Sequence, residues 1–161
     1  MNYFELFEIP VGFTINPAKL NQTYISLQKK YHPDYFGQSN EEEQTNALEL
    51  SSMVNKAYRT FKSKDLTLQY FLQMKELIEE GEQYKLSPGF LMEVMELNEL
   101  KMDGAEPEEI TRKAKDMEEE IFGEIKHLLE NYDDKKATEA DLLKIKDYYY
   151  KKKYIDRLLA E

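Results

Sequence analysis

Helix-period patterning over long stretches free of chain breakers is the feature that most constrains this sequence. Glycine and proline number only 6 and 5 in 161 residues. Between them apolar residues return at steps of three and four, as in Leu20, Tyr24, Leu27 and Tyr31, and again in Ala47, Leu50, Val54, Ala57 and Phe61. Such a stripe buries one side of a helix and leaves the other in water. With 41% hydrophobic residues there is enough apolar surface for one compact domain or two small ones. The expected fold class is all-α.

The breakers place the helix ends. Tyr3 to Phe7 reads as a short apolar helix or turn closed by Pro10 and Gly12. Asn16 followed by Pro17 is an N-cap with proline at the first helical position. Pro33 excludes the helical region at His32, so the second helix ends there and Pro33 to Gly37 becomes an exposed loop. Ser39 with Glu42 makes a capping box for a third helix. Two long helices then form an antiparallel hairpin with the loop at its tip. Ser63 caps a fourth helix whose stripe is Leu66, Tyr70, Met74 and Leu77.

Glu79-Glu80-Gly81-Glu82 to Ser87-Pro88-Gly89 joins a helix-ending glycine to a helix-starting Ser-Pro. The expected organisation is a first domain over 1–78, a linker over 79–87 and a second domain over 88–161. In the second domain Ser87-Pro88, Pro107 and the pair Thr138 and Asp141 start three helices, a small bundle. The middle helix carries Ile110, Ala114, Met117, Ile121, Ile125 and Leu128. The last carries Leu142, Ile145, Tyr148, Tyr149, Ile155 and Leu159.

Composition excludes several functions. A formal net charge of −10 lacks the basic stripe that releases counterions from phosphates, so no nucleic acid partner is expected. No apolar run approaches the length needed to cross a bilayer, and Met1-Asn2-Tyr3-Phe4-Glu5 has no basic leader region, so a soluble chain with no membrane partner is expected. The absence of cysteine rules out a thiolate nucleophile, a disulfide framework and cysteine-held metal, and fits a reducing cytoplasm. His32 and Asp34 flank one proline, a spacing that disfavours their use as a base and its partner, while His127, the other histidine, falls on an outer helix face. No catalytic residue, metal site or cofactor is expected.

The first helix of the second domain has two apolar sides. At 100° per residue Phe90, Val94, Leu97 and Leu100 lie on one, and Leu91, Met92 and Met95 with Glu99 on the other. Either both sides are buried, or the second is an exposed methionine-containing patch rimmed by Glu96 and Glu99, an adaptable protein-binding surface. Leu143, Tyr150 and Tyr154 on the last helix face away from Ile145 and Tyr149 and would extend that patch.

His32-Pro33-Asp34 lies between two long helices, preceded by Lys29-Lys30-Tyr31 and followed by Asn55-Lys56-Ala57-Tyr58. Over residues 2 to 62 these features resemble the J-domain family. The resemblance implies that the loop engages a chaperone of DnaK type and stimulates its ATP hydrolysis, with His32, Pro33 and Asp34 docking and Lys29 and Lys30 meeting an acidic surface. Such charge complementarity acts mainly on encounter rate. Phe90-Leu91-Met92-Glu93, with Asn2-Tyr3-Phe4-Glu5-Leu6-Phe7 and Tyr154-Ile155-Asp156-Arg157-Leu158, is similar to the HscB family, J-type co-chaperones of iron-sulfur cluster assembly. That family joins a J-domain to a three-helix bundle. It implies a chaperone of the DnaK/HscA type as one partner and an iron-sulfur scaffold protein of the IscU type as the other. The scaffold would bind Leu91, Met92, Met95, Glu96, Glu99 and Tyr154. The competing readings are a general protein-folding J-protein, a class that usually carries a Gly/Phe-rich segment missing here, and a helical structural adaptor in which the triplet is accidental.

Overall fold

Each long helix begins where the sequence offers a side-chain acceptor or a proline. In the computed structural model, which describes residues 1–160, the helices are α1 (Tyr3–Leu6), α2 (Pro17–Tyr31), α3 (Glu41–Lys62), α4 (Lys64–Met74), α5 (Pro88–Met102), α6 (Pro107–Glu130) and α7 (Glu139–Ala160). A 3-10 turn, Pro33–Phe36, stands between α2 and α3 where an irregular loop was expected. Asn16, Ser63 and Ser87 accept the N–H groups of Lys19, Leu66 and Phe90, and Thr138 and Asp141 cap α7 reciprocally at 3.1 and 3.0 Å. These caps satisfy donors that a helix start leaves without partners.

The α3 start departs from expectation by one residue. Asn40, not Ser39, is the cap, accepting from the Glu43 N–H at 2.8 Å. Either residue type serves at that position, so local chemistry does not choose between them. Ser39 is spent on the turn: its N–H donates to the Phe36 carbonyl at 3.0 Å and its own carbonyl accepts from the Gln44 side chain at 3.0 Å.

The described residues divide into two compact units, Met1–Lys75 and the part from Glu76 onward. In the first, Phe4 of α1 and Phe7 just after it pack against Phe61, with ring centroids 5.1 and 5.5 Å apart, and Leu6, Leu20, Val54 and Ala57 join them in the core. Tyr70 on α4 stacks on Tyr3 at 4.2 Å and its hydroxyl accepts the Tyr3 N–H at 2.9 Å. The expected α4 stripe holds only in part: Tyr70 and Met74 pack against the core, but the most buried face lies beside them. Thr67, Leu68, Phe71 and Leu72 are buried, Leu66 is 46% exposed, and the helix stops before Leu77. The Thr67 hydroxyl donates to the Thr60 and Ser63 carbonyls, which turns that face into the α3–α4 corner.

The second unit packs α5, α6 and α7. Phe90, Val94 and Leu97 of α5, Ile110, Ala114, Ile121 and Ile125 of α6, and Ile145, Tyr148 and Ile155 of α7 are buried. Leu159, expected inside, is 37% exposed, and Leu158 is buried in its place. Tyr150, expected outside, is buried. The reason lies in the segment expected as a linker, which lies along α7. Leu86 is buried, Tyr84 stacks on Tyr150 at 4.6 Å, and the Tyr84 hydroxyl donates to Asp147 at 2.9 Å. Glu82 accepts from the Tyr150 hydroxyl at 2.9 Å and pairs with Lys146 at 2.8 Å. Burial, and then the bond to Asp147, push the Tyr84 hydroxyl up to about 12, so it remains a protonated donor at neutral pH.

The Lys146 ammonium holds the Glu82 carboxyl below its ordinary range, with the Tyr150 hydroxyl adding to the effect. A carboxyl lowered in the folded state stabilises fully above its unfolded pKa, and the contribution is lost as pH falls through the folded value. Glu82→Gln is therefore expected to cost about 1 kcal/mol at neutral pH, with the difference from wild type closing on acidification. Urea unfolding of both proteins across the acid range checks this; a difference that stays constant with pH would remove the ion pair from the account.

Candidate functional site

The tip is positioned by a polar clasp between α2 and α3. Asn55 Oδ1 accepts from the Tyr24 hydroxyl at 2.8 Å and from Gln28 Nε2 at 2.8 Å, and Gln28 also donates to the Tyr24 hydroxyl at 2.7 Å. One turn further along α3, Tyr58 stacks on Tyr24 at 3.9 Å and donates to Asn21, one turn back along α2. Contacts that advance on one helix while retreating on the other fix the antiparallel register. Both members of the clasp on α3 belong to the Asn55-Lys56-Ala57-Tyr58 segment.

At the end of the hairpin His32 closes α2 and opens the 3-10 turn. Its Nδ1 accepts the Asp34 N–H at 3.2 Å, and its carbonyl accepts the Tyr35 N–H at 3.0 Å. With Nδ1 used as an acceptor, the neutral ring carries its proton on Nε2, which is left to donate outward; this tautomer follows from the hydrogen bond. The side chains of His32 and Asp34 are 54% and 90% exposed, and Pro33 is exposed between them. The turn thus presents a ring donor and a carboxylate acceptor on a fixed backbone, an arrangement suited to docking.

Lys29 and Lys30 are both exposed. Lys29 lines a groove of about 510 Å³ with Ile25, Gln28, His32, Asp34 and Tyr35. Lys30 lies with its ammonium 5.3 Å from the Tyr31 ring centroid. Ile25, Gln28 and Tyr35 were not expected at the site. Ile25 and Gln28 read in sequence as ordinary positions off the apolar stripe, and only the three-dimensional groove singles them out.

The second face lies on α5, and here the two-sided helix resolves into a buried side and a free one. Leu91 is 37% exposed, Met92 62% and Met95 60%, and Glu96 and Glu99 are exposed beside them. Leu91 and Met95, Met92 and Glu96, and Met95 and Glu99 are spaced as neighbours on one helix face. On α7 Tyr154 is 38% exposed beneath the Arg157 guanidinium, and Leu143 is also exposed; Tyr150 does not reach this surface. Lys151 lies over Phe90 and Lys101 donates to the Leu158 carbonyl, so α5 and α7 run in the same direction with Tyr154 between those two contacts.

Among the described residues no group of three His, Cys, Asp or Glu is placed to hold a metal ion, and no helix is long and apolar enough to cross a membrane.

An antiparallel helical hairpin ending in an exposed His-Pro-Asp turn defines the first unit as a J-domain, so the class is that of the J-domain proteins. Residues 86–161 match a family model described as the HSCB C-terminal oligomerisation domain. The co-chaperone protein HscB homolog of Aeromonas hydrophila is 33% identical over 162 residues, which cover 100% of this chain and 94% of that relative. The homolog of Psychromonas ingrahamii is 46% identical over 77 residues, 48% of this chain and 46% of that relative. Among solved structures, chaperone HscB from Vibrio cholerae matches with a TM-score of 0.67 and 29% identity over 99% of this chain and 94% of that one. The crystal structure of human co-chaperone protein HscB matches with a TM-score of 0.74 and 29% identity, over 98% and 78% of the respective chains. The chain belongs to the HscB family of co-chaperones.

If the α5 face contributes nothing to the core, replacing Leu91, Met92 and Met95 together with Ala should change unfolding free energy by less than about 1 kcal/mol, whereas Leu97→Ala should cost about 2 to 4 kcal/mol. Chemical denaturation compares the two; a triple variant as unstable as Leu97→Ala would show that the face is packed in solution.

Proposed function

We propose that this chain is a co-chaperone with two working ends, one stimulating ATP hydrolysis by a chaperone of the DnaK/HscA type and the other carrying an IscU-type iron-sulfur scaffold protein to it. The observation that carries the first part is the exposed, preformed His32-Pro33-Asp34 turn. The His32 ring donates through Nε2, Asp34 accepts from a cationic group of the chaperone, and Pro33 holds the two at a fixed separation. Lys29 and Lys30 add positive charge near the contact and act chiefly on the rate of encounter.

Support for the second part comes from Leu91, Met92 and Met95, an apolar strip rimmed by Glu96 and Glu99 with Tyr154 on the neighbouring helix. A free strip of this kind fits a partner with an apolar centre and donors at its edge. The charge distribution favours a basic rim on that partner: the first unit has 8 basic and 8 acidic residues, the part from Glu76 onward 14 and 24. Holding scaffold and chaperone on one chain raises the effective concentration of each for the other without any new contact. A protein without cysteine that works in this way fits a reducing cytoplasm.

Two measurements test the proposal. Steady-state ATPase turnover of a chaperone of this type should rise with the wild-type chain and stay at its basal rate with His32→Gln; equal stimulation by both would sink the first part. Scaffold affinity, measured by titration calorimetry, should weaken by about 1 to 3 kcal/mol in the Leu91, Met92 and Met95 to Ala variant. An unchanged affinity would take the α5 face out of the account.

A further inference from the structure

The hairpin tip carries apolar surface that the docking roles of His32, Pro33 and Asp34 leave unused. Ile25 is 54% exposed and Tyr35 69% exposed, and the two stand in one groove with Gln28, Lys29, His32 and Asp34. Ile25, Lys29 and His32 recur at steps of four and three and so stack along one side of α2. Gln28 lies in the same lining but is held toward α3 by its bonds to Tyr24 and Asn55, which keeps its long side chain from filling the space. Tyr35 meets the His32 ring edge-on at 6.3 Å and closes the groove at the tip. The result is an apolar-walled recess built on a fixed floor and opening beside the Asp34 carboxylate.

Charge alone gives this tip little to hold a partner with. Over residues 17–31 the only charged side chains are Lys19, Lys29 and Lys30, and Met1–Lys75 has equal numbers of basic and acidic residues. Long-range attraction from such a unit is weak and is screened further by salt. Burial of apolar area does not depend on salt in that way and supplies most association energy.

We propose that Ile25 and Tyr35 form an apolar docking groove for the chaperone ATPase, continuous with the His32-Pro33-Asp34 turn, and that this groove supplies the salt-insensitive part of the affinity. The inference rests on the co-chaperone reading of the tip. The occupant it calls for is an apolar side chain on the chaperone surface, placed next to the cationic group that meets Asp34. Ile25 and Tyr35 are then binding and specificity residues, while His32 remains the group whose loss ends stimulation.

The test uses the full chain and reads the co-chaperone concentration that half-saturates stimulation of the chaperone's ATPase, at low and at high salt. Ile25→Ala and Tyr35→Ala should each raise that concentration about five- to tenfold at both salt levels, with the loss in half-saturation rather than in the plateau. Tyr35→Phe, which keeps the ring face, should behave as wild type. Because both side chains are exposed, the variants should keep wild-type helical content by circular dichroism. Half-saturation within about twofold of wild type for both alanine variants, with stimulation lost in His32→Gln, would overturn the groove and leave the tip reading in place; a loss that disappears at high salt would overturn it too. Stimulation retained by His32→Gln would overturn the tip reading and the groove together.

Discussion

The hydrogen bonds that converge on the Asn55 side chain are the interaction on which the rest of the first unit depends. Apolar stripes alone bring α2 and α3 together but do not fix how far one slides along the other, because similar side chains follow one another every turn. A half-buried amide that accepts from Tyr24 and Gln28 has one good position. A shift by one turn would leave partly buried polar groups without partners, which costs more than the bonds themselves contribute. Fixing the register fixes where α2 ends relative to α3, and so where His32 stands. The Tyr24–Tyr58 stack and the Tyr58–Asn21 bond extend the same constraint by one turn.

Most helices were legible in the sequence because their starts are written in residue types with few other uses. Asn16-Pro17, Ser87-Pro88 and Thr138 with Asp141 allow little besides a helix N-terminus, and the structure places α2, α5 and α7 accordingly. Where two adjacent residues serve equally well, as with Ser39 and Asn40, the turn chose between them. The most buried face of α4 was not legible, because Leu66, Leu68, Tyr70, Phe71, Leu72 and Met74 leave hardly any polar side to define an inside. Thr67 decided the matter through bonds to carbonyls of α3 and the corner, a role that an isolated threonine does not advertise.

At the candidate site the exposure of the tripeptide and of the α5 strip was legible, the first from the helix-ending proline and the second from the two apolar sides of α5, while the role of the tripeptide was suggested by the J-domain resemblance. Ile25 and Tyr35 were not singled out because they come into one groove only when α2 and the turn are folded against each other. Tyr150 was misplaced for a related reason. Its partners Glu82 and Tyr84 sit in a stretch whose glycine and charges read as a connector, and nothing in their spacing signals a strap along α7.

The turn that carries His32 is already ordered in the free protein. Proline fixes one torsion, the His32 Nδ1 bond fixes another, and the Tyr35 N–H closes the 3-10 ring. Ordering a flexible loop on association consumes about 1 to 2 kcal/mol of backbone entropy per residue. Here that ordering was completed when the protein folded. A chaperone meeting this tip would be spared that part of the cost, though not the loss of translational and rotational freedom, and the heat capacity change on docking would report the apolar area covered rather than the folding of a loop.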